Sequence, residues 1–119
     1  MLIAEFEIHG LPKTRNQMSY NWRACHAEAK KWKNHVIGQC EFLGITGLKL
    51  TNAKLTFIRC SSKELDWDNL ITSFKHVLDG LTEAGVILDD KPSVIGQPQF
   101  FWERCPPKQG KIKIRIERA

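Results

Sequence analysis

The chain opens on a two-residue alternation. Leu2, Ala4, Phe6 and Ile8 alternate with Ile3, Glu5, Glu7 and His9, so successive side chains fall on opposite faces and a first strand is expected. From Gly10 to Asn21 the period is lost in a polar stretch of turn formers that begins Gly10-Leu11-Pro12-Lys13-Thr14-Arg15-Asn16. The period then lengthens. Cys25, Ala29, Trp32, Val36, Cys40 and Leu43 recur every three or four positions, as one face of a helix from about Trp22 to Leu43 requires. Lys30, Lys31, Lys33 and His35 lie off that face, and Gly44 and Gly47 are placed to end the helix.

Leu48 to Arg59 reads as a second strand with a change of phase. Leu48 and Leu50 hold one phase and Ala53, Leu55 and Phe57 the other, so either the strand bulges near Thr51-Asn52 or pairing starts after it. A second helix is expected from near Asp68 to Ala84-Gly85, with Ile71, Phe74, Leu78 and Leu81 as its core face and Gly85 as the residue after its end. Val94 to Arg104 forms a third strand in which Pro98 argues for an edge position or a bulge. After a turn at Cys105–Gly110, Lys111 to Arg118 alternates without error: Ile112, Ile114 and Ile116 against Lys113, Arg115 and Glu117. The order β-α-β-α-β-β places the chain in the α+β class, as a single domain over 1–119 with a mixed sheet packed against two helices.

Size and composition narrow this further. At 119 residues the chain can bury one core but not two. With 42% hydrophobic and 26% charged residues it has the make-up of a soluble globular domain, and no apolar run reaches membrane length. The acidic residues within Met1–Gly10 are foreign to a signal peptide, so a cytoplasmic protein is expected. Cys25, Cys40, Cys60 and Cys105 form no close pair of the kind zinc sites use, and they read as reduced thiols. The net charge of +5 suggests an anionic partner, of which nucleic acid is the usual one.

Candidate chemistry concentrates between Glu64 and Lys91. Asp66 and Asp68 are one residue apart, which puts both carboxylates on one side of an extended segment. Asp89 and Asp90 follow the second helix, and a return of the chain is needed to bring Asp90 back towards Asp68. Carboxylates gathered in this way suit Mg²⁺, which takes oxygen ligands and keeps several waters. The same residues also make an ordinary structure, because Asp and Asn cap helix starts and Leu88-Asp89-Asp90-Lys91-Pro92 is a common polar turn. Lys75, seven residues after Asp68, would share a helix face with Thr72 and Asp79 and could meet a phosphate. His9, His26, His35 and His76 show no metal spacing and no paired nucleophile, and read as surface or core residues.

The run from Asp66-Trp67-Asp68-Asn69-Leu70 through Leu78-Asp79-Gly80-Leu81 and Ala84-Gly85 to Leu88-Asp89-Asp90 resembles the core signature of RusA-type Holliday junction resolvases. Gly10–Asn16 resembles the loop after that family's first strand, and His26–Lys33 its basic first helix, so the resemblance spans nearly the whole chain. It implies a Mg²⁺-dependent endonuclease, with Mn²⁺ as a substitute, that cuts four-way DNA junctions as a homodimer by paired symmetric nicks. Bacterial or phage origin follows from the same resemblance. It matches Asp66, Asp68 and Asp90 to three metal-binding aspartates, with Asp89 in reserve, and Lys75 to a functional lysine when aligned from Leu78-Asp79. Aligned from Asp68, that lysine falls at Thr72 instead. Lys13, Arg15, Asn16, Arg23, Lys30 and Lys33 are the candidate DNA contacts, and Tyr20 or Trp22 could stack at an opened junction. The alternative is a non-catalytic DNA-binding protein of the same fold in phage or bacterial recombination and repair.

Overall fold

In the computed structural model, which describes residues 1–17 and 21–119, the two cleanly alternating ends of the chain pair with each other. β1 (Leu2–His9) lies antiparallel to β4 (Lys111–Arg118), with Phe6 opposite Ile114 and Ile8 opposite Ile112. β4 pairs antiparallel with β2 (Ala53–Ser61), and β2 pairs parallel with β3 (Gln99–Arg104). The resulting mixed sheet runs β1-β4-β2-β3, leaving β1 and β3 as its edges. Period-two patterning sorts the side chains. Ala4, Phe6, Ile8, Leu55, Phe57, Ile112, Ile114 and Ile116 are buried together under the helices. The other face is laced by ion pairs, Lys111–Glu7 at 3.1 Å, Lys113–Glu103 at 3.1 Å and Arg115–Glu117 at 3.2 Å.

α1 spans Trp22–Leu43, as the periodicity predicts. The Asn21 side chain accepts the Arg23 N–H at 2.9 Å at its start, and Gly44 ends it at φ 70° in the left-handed region that suits glycine. Trp32, Val36 and Cys40 are its buried residues, and burial, aided by neighbouring Glu41, pushes the Cys40 thiol up to about 11. None of the four cysteines forms a disulfide. No helix among the described residues is long and apolar enough to cross a membrane.

The expected second helix is two helices, α2 (Trp67–Thr72) and α3 (Lys75–Glu83). The break has a local cause. The Thr72 hydroxyl donates to the Asp68 carbonyl at 2.8 Å and the Ser73 hydroxyl to the Leu70 carbonyl at 2.8 Å, contacts that compete with the helical ladder and bend it. Phe74 leaves helical geometry at φ −94° and ψ 3°, and its ring stacks on Phe57 at 5.1 Å. The break shifts the helical phase, so Leu70, Phe74, Val77 and Leu81 enter the core while Ile71 is turned out to solvent. The expected core position of Ile71 is therefore corrected. α3 docks closely on α1 at Gly80, where an added Cβ would stand 2.9 Å from the Val36 Cβ. Gly85, at φ 70°, turns the chain after α3.

The phase change near Thr51-Asn52 resolves as a late start rather than a bulge. Leu50 bridges to Ile87, and β2 begins at Ala53. Likewise β3 begins at Gln99, one residue after Pro98, rather than at Val94, because proline has no N–H to give to the ladder.

Candidate functional site

α2 follows the end of β2 and packs between β3 on one side and the 3-10 turn Arg15–Gln17 on the other. Its first residues carry the Asp-Trp-Asp sequence, and their backbone decides where each carboxylate goes. Asp66 is the cap of α2: its Oδ1 accepts the Asn69 N–H at 2.9 Å and the Asn69 side-chain amide at 3.0 Å, and its Oδ2 lies 3.3 Å from the same amide. Asp68 is exposed and meets the Arg15 guanidinium at 3.4 Å, a pairing that is weak between two solvated side chains. Asp89 accepts the Asp90 N–H at 2.7 Å and lies 3.6 Å from Lys91. The Asp90 N–H, with help from Lys91, holds the Asp89 carboxyl below the usual range.

The chain does return after α3. Leu50↔Ile87 and Ala53↔Ile95 bridges lay the returning segment along the start of β2, whereas Asp66 follows the end of that strand. Asp90 borders a cleft with Ile95, Gly96 and Gln97, and Asp66 borders another with Leu65, Trp67, Phe101 and Trp102. Among the described residues no group of three or more carboxylate, imidazole or thiolate donors stands close enough to share one ion.

A different set of expected residues does converge. Lys13 and Arg15, from the loop after β1, line an open cleft of about 200 Å³ together with Glu28, Thr72, Lys75 and His76. Thr72 and Lys75, the two positions at which the family's lysine could fall, thus share one cleft despite the helix break. Lys75 is exposed and 3.7 Å from Asp79. Arg23 stacks over Trp22 at 5.4 Å, Lys33 turns to Glu83 at 3.7 Å, and neither they nor Lys30 line this cleft. Tyr20 and the side chain of Asn16 lie outside the described residues.

The loop that carries Lys13 and Arg15 is pinned from below. Arg59, buried on the helix side of β2, donates to the Pro12 carbonyl at 2.7 Å, the Lys13 N–H donates to Glu28 at 3.1 Å, and the Thr14 N–H to Gln17 at 3.0 Å. Glu28 also accepts the Trp32 indole N–H at 3.0 Å, which ties the loop to α1. Burial lowers the Arg59 pKa, and its Nε has no hydrogen-bond partner among the described residues. Arg59 was legible as an anomaly, a cation in the inward phase of Leu55 and Phe57. His76, which reads from the sequence as a bland residue, is half-buried in the cleft wall with its Nδ1 3.9 Å from Asp79. Burial lowers its pKa, reinforced by Lys75 and Lys33 and opposed by Asp79 and Glu28. Only its helical spacing from Thr72 and Gly80 hinted at this placement.

No protein-family model matches the chain, and no curated protein matches it.

Proposed function

We propose that the protein is a Mg²⁺-dependent, structure-selective DNA endonuclease of the RusA kind, resolving four-way junctions as a homodimer by paired nicks. The observation that carries this reading is the cleft in which Lys13, Arg15, Thr72 and Lys75 meet, with Arg15 reaching across to Asp68 at 3.4 Å. A helix cap and a turn alone would not call for a basic loop pinned beside them. Cations on a loop already held in place can take up phosphate oxygens at a small ordering cost.

The donor set suits a hard cation because it is all oxygen. Asp66, Asp68 and Asp90, with Asp89 in reserve, would hold Mg²⁺, and Mn²⁺ could replace it. When bound, such a cation supplies Lewis acidity and charge neutralisation at a phosphodiester. The chain's own part is to bind and orient: Lys13 and Lys75 grip phosphate, and Arg15 links that grip to Asp68. A second reading is a non-catalytic DNA-binding protein of the same fold, for which the basic cleft alone would serve.

Cleavage of a four-way junction against a linear duplex, in Mg²⁺ and in Mn²⁺, tests both. Paired nicks are expected only on the junction and only with wild type, not with Asp68→Asn. Equal cleavage of both substrates refutes junction selectivity. Binding of the junction without cleavage in either metal establishes the second reading. Undiminished cleavage by Asp68→Asn removes that aspartate from the site.

A further inference from the structure

We propose that the groove beside Asp66 seats one unpaired nucleobase of the DNA, with the Trp67 indole as its stacking platform; this rests on the DNA-processing function proposed above. Trp67 lies between the two candidate carboxylates in sequence, yet its side chain is turned to solvent, 69% exposed. Phe101 and Ile71 beside it are 47% and 43% exposed. With Gln97, Gln99 and Phe100 these three residues border an open groove of about 440 Å³. Its floor is firm, because Phe100 stacks on Phe57 at 5.5 Å and lies 5.9 Å from Phe74.

Three features say what the groove accepts. Its walls combine aromatic faces with two glutamine side chains, each of which offers an amide donor and an acceptor. A planar heteroaromatic with a polar edge matches both, and stacking on an aromatic face tolerates any base. The groove is also continuous with the candidate site. Trp67 and Phe101 border the cleft that holds Asp66, and Gln97 borders the one that holds Asp90. A base is joined to its phosphate through a single sugar, so a phosphate held near Asp66 leaves its base over Trp67. Finally, Arg104 lies over the Trp102 ring at 5.1 Å beside the Asp66 end, which adds positive charge where a strand would enter. A second copy of the chain fits less well. The β3 edge along the groove starts after Pro98 and ends in Glu103 and Arg104, features that discourage strand-to-strand pairing.

The test is equilibrium binding in EDTA, where no metal-dependent cleavage can occur. Two single strands of equal length are compared, one of thymidine and one of abasic residues. Wild type should prefer the base-bearing strand, and Trp67→Ala should weaken binding of that strand about 5- to 150-fold without changing affinity for the abasic one. Trp67→Phe, which keeps an aromatic face, should recover most of the preference. Wild type that binds both strands alike, or Trp67→Ala that keeps the preference, overturns the proposal. So does a Trp67→Ala variant that loses only self-association, which would make the groove a contact between copies. Junction cleavage in Mg²⁺ is read separately. A Trp67-dependent base preference without cleavage refutes the endonuclease and leaves the seat standing. Cleavage with no Trp67-dependent base preference does the reverse.

Discussion

Asp66 holds two jobs in this account, cap of α2 and ligand of a metal, and two substitutions separate them. Asp66→Ala removes the acceptor of the Asn69 N–H and of the Asn69 side-chain amide, bonds of 2.9 and 3.0 Å. Losing the cap costs about 1 kcal/mol and stranding the amide of buried Asn69 about 1 kcal/mol more. For a chain of this length 1 kcal/mol moves the melting temperature by about 4 °C, so a fall of about 8 °C is expected. Asp66→Asn keeps an equally good capping oxygen and should melt within about 2 °C of wild type. Metal binding divides the pair differently. At a hundredfold excess of Mg²⁺ over its dissociation constant, wild type should gain about 2.7 kcal/mol, or about 11 °C. Neither variant should gain it. Thermal melts followed by circular dichroism, with EDTA and then with Mg²⁺, read both effects on one instrument. If the asparagine variant melts as low as the alanine variant, the cap is not what Asp66 contributes. If the asparagine variant keeps the full Mg²⁺ gain, Asp66 is not a ligand.

The remaining predictions concern the cleft. Lys75 is exposed and only 3.7 Å from Asp79, so Lys75→Met should cost less than about 0.5 kcal/mol of stability. Its junction affinity should nevertheless fall, and the dependence of log affinity on log salt should become shallower by about 1; an unchanged salt slope would show that Lys75 does not touch phosphate. His76 should make stability pH-dependent, because burial lowers its folded pKa below the ordinary 6.5. At high pH it is neutral in both states and contributes nothing. As pH falls through the unfolded value, the unfolded chain takes up the proton first and stability is lost. His76→Gln should therefore flatten the decline in denaturant midpoint between about pH 7 and 5, and an unaltered decline would contradict the burial argument.

How much of this was legible before folding differs from element to element. β1, α1 and β4 are where the periodicity puts them, because each has one buried face and the repeat records it. β2 and β3 start later than their apolar residues suggest, at Ala53 and Gln99, since a strand begins where a neighbour's ladder begins. The Thr72-Ser73-Phe74 break was hidden by an otherwise helical pattern. Hydroxyls bonding backward and a phenyl ring drawn onto Phe57 outweigh the local preference for one long helix.

The sequence alone determined the α+β class, the alternating faces of the two terminal strands, a capping-type start to the second helix near Asp68 and the clustering of acids between residues 66 and 90. These are local matters of period and side-chain chemistry. Tertiary structure decided which charges meet. It set Lys13 and Arg15 beside Thr72 and Lys75, and turned Trp67 and Ile71 outward onto a groove. The reason is that the parallel pairing of β2 with β3 and the kink between α2 and α3 fix distances between segments far apart in the chain. No period of two or 3.6 residues encodes such distances.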